Sequence, residues 1–365
     1  MRDRVPHLLV YISAHGYGHV AQTAPVLDNL RERLPALRLT VCSGVPERYL
    51  HSRIMGDFLH IQEATDIGMV MASALDVQPE ESLQAYRKFH ADWDARVAYE
   101  VRRIHALQPD FILSNVAYLP LAAAKRAGIP CAAMCSLNWA DILTHYCGVA
   151  SGVEAVLGQI RAAYAGADVF LRMTPGMTMA DLPNLHSVGP VARQGRNLRA
   201  QLSRRLGLNP HEKLVLITMG GVATRLPVEN WPEMPGVHWL VQGDWNVERP
   251  DFHALELAGM DFVDILASSD ALLCKPGYGS FVEAACNGIP VLYVSRRDWP
   301  EEPCLVEWLV SHGCCREVDR EQVESGALEE ALHGLLWRPR PGRVVPEGIP
   351  QVADYLARSI SMASP

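Results

Sequence analysis

Two glycine-rich turns organise this chain. The first is His15-Gly16-Tyr17-Gly18-His19, directly after the apolar run His7-Leu8-Leu9-Val10-Tyr11-Ile12. The second is Lys275-Pro276-Gly277-Tyr278-Gly279-Ser280, directly after Ala271-Leu272-Leu273-Cys274, and a helical stretch carrying Glu283 follows it. Each reads as a strand, a tight turn and a helix N-terminus. Glycine there lets backbone approach a ligand, and the first-turn N–H groups face it with partial positive charge. Two such turns, each opening its own half of the chain, predict two α/β domains facing a shared cleft.

Working outward, short apolar β-type runs alternate with helical patterns, as parallel sheets built from βαβ units require. Strands are expected at 8–13, 39–43, 58–61, 111–114, 131–135 and 169–172, then at 214–218, 238–241, 271–274 and 291–294. Helices are expected around 21–34, 82–107, 119–127 and 153–165. Gly189-Pro190-Val191-Ala192-Arg193-Gln194-Gly195 reads as the crossover and hinge between halves. The expected organisation is an N-terminal Rossmann-like acceptor domain over 1–190, a nucleotide-sugar donor domain over 196–345, and a last segment, 346–365, whose helix packs back on the first domain.

Composition bounds the function. The 365 residues suffice for two domains with their own cores. A formal charge of −8 argues against a nucleic-acid partner, which selects a basic face. Nine cysteines, an odd count without paired ligand spacing, point to a reducing compartment and no disulfide framework. The apolar run near the N-terminus is too short for a signal sequence or a membrane span, so a cytoplasmic location is expected. Peripheral membrane contact and oligomeric state stay open.

Three readings are open at the first turn. The histidines cap a helix; or Gly16-x-Gly18-x-x-Ala21 is a dinucleotide fingerprint; or a histidine is a general base. The fingerprint lacks an acidic residue at the end of the second strand, which closes Val41-Cys42-Ser43-Gly44. A neutral histidine takes a proton from a hydroxyl near neutral pH, so His19, and after it His15, are the candidate bases. Asp141, in Asn138-Trp139-Ala140-Asp141, either orients that histidine, takes a proton itself, or belongs to a helix cap.

The second turn suits a diphosphate. Gly277, Tyr278, Gly279 and Ser280 open the helix beside Lys275, and Gly220-Gly221 offers another close backbone approach. Glu283, one turn into the helix, is placed for ribose hydroxyls. Arg296 or Arg297 would meet phosphate, and Glu301 and Glu302 sugar hydroxyls, at the carboxyl end of the 291–294 strand. The alternative is a solvated loop. Asp261, Asp264 and Asp270 are scattered rather than paired as a metal-binding carboxylate pair, so no metal and no separate cofactor are expected.

These residues resemble the GT-B glycosyltransferases, the class with two Rossmann-like doubly wound domains that includes MurG-type and UDP-glycosyltransferases. Gly18-His19…Pro25 is similar to their segment carrying the catalytic histidine. Lys275-x-Gly277-x-x-Ser280-x-x-Glu283 with Gly288-x-Pro290 is similar to their nucleotide-sugar motif. The likeness is greatest to the glycosyltransferase-like region of plant L-arabinokinases. It rests on Gly16-Tyr17-Gly18-His19, Pro109-Asp110-Phe111-Ile112-Leu113-Ser114, Leu137-Asn138-Trp139-Ala140-Asp141, Lys275-Pro276-Gly277-Tyr278-Gly279, Arg296-Arg297-Asp298 and Glu301-Glu302-Pro303. Nothing in these residues matches the ATP loop of the sugar-kinase part, so kinase activity does not carry over.

The resemblance implies an inverting, metal-independent transfer of sugar from a nucleotide-diphosphate sugar, UDP-sugar by default, to an acceptor hydroxyl. Many such enzymes orient the histidine with an aspartate after the 109–114 strand, where this chain has Asn115. Two alternatives therefore stand: a nucleotide-sugar epimerase or hydrolase, and a non-catalytic nucleotide-sugar-binding domain. Acceptor contacts are expected from Val45–Met55 and Ile67–Leu83, and Met69, Met71, Tyr86 and Trp93 read as either an apolar acceptor pocket or core.

Overall fold

The computed structural model describes residues 5–221, 224–296 and 298–363. The chain divides into two compact units, the first comprising Met1–Ala72, Val77–Val191 and Glu347–Pro365, the second Ser73–Asp76 and Ala192–Pro346.

The first unit runs β1 (His7–Ile12), α1 (Gly18–Arg33), β2 (Arg38–Cys42), α2 (Glu47–Arg53), β3 (Leu59–Ile61), α3 (Pro79–Ala91), α4 (Trp93–Leu107), β4 (Phe111–Asn115), α5 (Leu119–Ala127), β5 (Cys131–Cys135), α6 (Trp139–Cys147), α7 (Val153–Ala165), β6 (Val169–Met173) and β7 (Leu185–Val188). Its strands form a parallel seven-stranded sheet in the order β3-β2-β1-β4-β5-β6-β7. β1, β4 and β5 are buried at every position, so both faces are covered by helices and the strands read as unbroken apolar runs.

The second unit runs α8 (Arg199–Leu206), β8 (Lys213–Thr218), β9 (Val237–Val241), β10 (Phe252–Ala254), α9 (Phe262–Ser268), β11 (Ala271–Cys274), α10 (Tyr278–Asn287), β12 (Val291–Val294), α11 (Glu302–His312), β13 (Cys315–Val318), α12 (Arg320–Ser325) and α13 (Glu329–Leu336). Its parallel sheet has the order β10-β9-β8-β11-β12-β13. α14 (Gly348–Ala363) follows and belongs to the first unit, where it packs on α1.

Both sheets reverse direction of winding beside their first strand, between β1 and β4 and between β8 and β11. Loops leaving the carboxyl ends of such a pair diverge to opposite faces and open a crevice, the place where α/β proteins bind ligands. The two glycine-rich turns follow β1 and β11, so each lies at its sheet's switch point.

Several differences from the sequence reading have physical causes. The single helix expected at 82–107 is two, because Asp92 leaves helical geometry at φ −110°, ψ 34°. The strands β7, β10 and β13 lie at sheet edges, where half-exposed polar residues break the apolar pattern. The Ser73–Asp76 segment sits in the second unit rather than the first. Ala74 is fully buried among its core residues and donates its N–H to Thr224 Oγ1 at 2.9 Å, while Asp76 pairs with Arg320 at 2.7 Å. The expected hinge is held on both sides. Pro190 O accepts from Gly348 N, and Gly195 N donates to Asn287 Oδ1.

Among the described residues no helix is long and apolar enough to cross a membrane. All nine cysteines are free, most of them buried.

Candidate active site

In the first unit the β1–α1 turn places His19 in the first turn of α1, and β4 delivers Asn115 from the neighbouring strand end. Both are buried, Asn115 completely. His19 Nδ1 lies 2.9 Å from Asn115 Oδ1. The Asn115 Nδ2 faces three oxygens: His19 O at 3.3 Å, Gln22 Oε1 at 3.1 Å and Thr23 Oγ1 at 3.0 Å. Those acceptors assign the amide orientation, so Oδ1 is the atom toward the imidazole. His19 therefore donates from Nδ1–H, and in its neutral form the lone pair resides on Nε2, as a proton acceptor needs. The next residue, Val116, holds φ +62°, an unusual value for a β-branched side chain, and its carbonyl accepts from Tyr164 Oη at 2.7 Å.

His15 is placed differently. Met69 N–H donates to its Nδ1 at 3.2 Å, so that lone pair is occupied and the neutral ring carries its proton on Nε2. The ring rests on Gly68, where φ is +65° and a Cβ would come within 2.7 Å of Nδ1. Trp139, the first residue of α6, meets both rings edge-on, His15 at 5.0 Å and His19 at 5.8 Å between centroids. Its indole N–H donates to Asp66 Oδ2 at 2.7 Å. Gly16 and Gly18 have no neighbour within 4 Å of where a Cβ would stand, and neither has a positive φ. Packing does not demand glycine there; the missing side chains leave room beside His19.

Asp141 stays with its own helix. Asn138, the α6 N-cap, accepts from Asp141 N at 2.8 Å and donates to Asp141 Oδ2 at 2.8 Å. Partial burial raises the Asp141 pKa. The structure thus brings His19, His15, Asn115 and Trp139 together and ties Asp141 to the cap.

In the second unit α10 begins after Gly277 with no side-chain cap and no acidic residue in its first turn. Its leading N–H groups have no capping side chain, which favours an anion. Lys275 lies between the two turns of the switch point. A Cβ on Gly220, whose φ is +82°, would stand 2.9 Å from Lys275 Cε, and one on Gly277 would stand 3.8 Å from Nζ. Enclosure, and then the charge of Arg296, pull the Lys275 pKa down to about 7 against the opposing pull of Glu301 and Glu302. Gly221 is exposed beside Gly220. Tyr278 is buried, and the Ser280 hydroxyl pairs with the buried Cys274 thiol.

After β12 the loop is braced from within. Glu302 accepts from Ser295 Oγ at 2.5 Å and from Arg296 N at 2.9 Å. Glu301 accepts from Trp299 Nε1 at 3.2 Å, and the Arg296 guanidinium stacks 4.1 Å over the Trp299 ring. Glu283 is only 4% exposed. Arg297 lies outside the described residues. Met69 and Tyr86 are buried, and Tyr86 stacks with His90 and Tyr118, as a core residue does. Among the described residues no group of three or more His, Cys, Asp or Glu side chains is arranged to hold a metal ion.

Sequence reasoning passed over Asp66 and Gln22. Asp66 follows a short edge strand in a polar stretch, and Gln22 lies inside a helix; neither position carries a motif.

Two parallel sheets of this order, in one chain, make the GT-B fold. Solved structures share it along their length: the calicheamicin glycosyltransferase CalG4 (16% identity, TM-score 0.60, 100% of this chain and 96% of that one) and Arabidopsis thaliana UGT89C1 complexed with quercetin (14%, 0.59, 98% and 100%). A UDP-N-acetylglucosamine 2-epimerase shares it as well (14%, 0.57, 98% of each chain). In sequence the chain is weakly related to L-arabinokinase of Arabidopsis thaliana, at 27% identity over 321 residues, 87% of this chain and 31% of that protein. It thus spans about a third of the length of that relative. No protein-family model matches the chain.

Proposed function

We propose that this protein transfers a sugar from a nucleotide-diphosphate sugar to an acceptor hydroxyl, with inversion at the sugar carbon. The α10 N-terminus carries the reading: a helix start at Gly277 without a side-chain cap, with the Lys275 side chain lying against Gly277 and Gly220. In the proposed step His19 Nε2 takes the acceptor O–H proton. The acceptor oxygen bonds to the anomeric carbon as its bond to the diphosphate oxygen breaks, and the electron pair leaves with the diphosphate. Lys275, Arg296 and the first-turn N–H groups of α10 meet that charge, the service a metal ion performs elsewhere. His15, its Nδ1 occupied, serves as a wall. Glu283 holds the ribose, and Glu301 and Glu302 the sugar hydroxyls. UDP is the default nucleotide, and the cytoplasm the expected location.

The test begins with thermal shifts over nucleotides and nucleotide sugars. A diphosphate at a hundredfold excess over its dissociation constant adds about 2.7 kcal/mol of apparent stability. The expected result is a shift with one nucleoside diphosphate that weakens in Glu283→Gln. His19→Ala keeps that shift while losing roughly 10²–10⁴-fold in turnover. No shift with any nucleotide defeats the donor site, and full turnover in His19→Ala defeats the base.

The neutral Asn115 beside His19, with the fold likeness to a 2-epimerase, supports a second reading in which the nucleotide sugar alone is the substrate. Loss of donor without any acceptor present identifies it.

A further inference from the structure

Asn115 orients His19 but carries no charge, so it does not itself balance an imidazolium formed there. One carboxylate is built into the same shell. Asp66 is 7% exposed, accepts from the Trp139 indole at 2.7 Å, and is bonded by the Ser13 hydroxyl at the end of β1. Ser13 Oγ in turn accepts from His15 N at 3.4 Å. Two and three residues on, Gly68 and Met69 support the His15 ring. The carboxylate therefore ties together the chain leaving β1, the chain leaving β3 and the start of α6, all of which surround His19. Trp139 spans the interval, with its N–H on Asp66 and its ring edge-on to His19.

We propose that Asp66 is a positioning residue for His19, supplying through one intervening indole ring the negative charge that Asn115 lacks. The inference rests on the reading of His19 as the base. Tyr86 of α3, Tyr118 at the start of α5 and Tyr164 of α7 feel its charge, and burial holds each of them protonated. Cys135 Sγ, 3.8 Å from His19 Nδ1, is itself fully buried. Burial raises the Asp66 pKa to about 6, against the lowering effect of the Ser13 and Trp139 hydrogen bonds. It is thus ionised above that pH and titrates in the range where histidine does.

The experiment follows the His19 ring resonance of the full-length, histidine-labelled protein from about pH 5 to about pH 8.5, assigned by its loss in His19→Gln. Wild type is expected to show the main His19 titration with a smaller inflection near pH 6. Asp66→Asn removes the inflection and lowers the His19 midpoint by about 0.5 to 1 pH unit. A merely structural Asp66 leaves one titration with the same midpoint in both proteins, which overturns the proposal. Should Asp66→Asn not fold, Trp139→Phe decides: the inflection moves to higher pH, because the carboxylate stays and loses a stabilising donor. Absence of any inflection in wild type and in Trp139→Phe overturns it equally. Because the readout needs no turnover, its failure leaves the base assignment to the activity of His19→Ala.

Discussion

At the scale of single residues, Asn115 is where this chain departs from the pattern its turns suggest, and its surroundings explain the amide. Thr23 Oγ1 donates its proton to His19 O at 2.7 Å, and Gln22 Nε2 donates to Ser136 Oγ at 2.7 Å. Both residues are therefore left presenting lone pairs to position 115, beside the carbonyl of His19. A carboxylate there would face three acceptors. Asn115→Asp is accordingly expected to cost about 1–3 kcal/mol in denaturant unfolding, the penalty for buried oxygens without donors. An unchanged midpoint would mean that Gln22 and Thr23 reorient freely. The departure itself is legible in the sequence; its reason is not, because Gln22, Thr23 and Ser136 come from a different helix and strand end.

At the scale of elements, the start of α10 predicts a pH dependence. A lysine whose pKa is about 7 when folded and near 10.4 when unfolded binds fewer protons in the native state across that interval. Stability of the ligand-free protein then rises as pH rises from about 7 toward the ordinary lysine value. Lys275→Met is expected to flatten that part of the thermal-melting profile and to raise the midpoint most at the acid end. A bound diphosphate acts oppositely, favouring the ammonium, so binding near pH 8 takes up a proton and its calorimetric enthalpy follows the buffer's ionisation enthalpy. Identical enthalpies in two such buffers would argue that Lys275 is charged before the ligand arrives. The glycines and the strand-turn-helix pattern of this element are readable along the chain. The close approach of Lys275 to Gly220 is not, since β8 and β11 become neighbours only in the sheet.

At the scale of the whole molecule, the last helix returns to the first unit. Val352, Ala353, Leu356 and Ile360 are buried on α14, whereas the Arg33–Asp354 ion pair at 2.7 Å is partly exposed. Leu356→Ala is expected to cost about 2–5 kcal/mol of stability, and Arg33→Ala less than about 1 kcal/mol. A reversed order in unfolding experiments would show that charge rather than apolar burial holds α14. The helix is visible in the sequence as a periodic apolar pattern after a Pro- and Arg-rich loop. The sequence by itself determined the two parallel sheets and the glycine-rich turns that follow β1 and β11, because buried strands must be apolar on both faces and glycine-rich turns are local in the chain. Only the tertiary structure decided which side chains share a site. The placing of Asp66 behind Trp139, the tying of Asp141 to Asn138, and the docking of Ser73–Asp76 in the second unit depend on how distant strand ends are ordered in a sheet. That order is set by packing among residues far apart in sequence, and no local pattern records it.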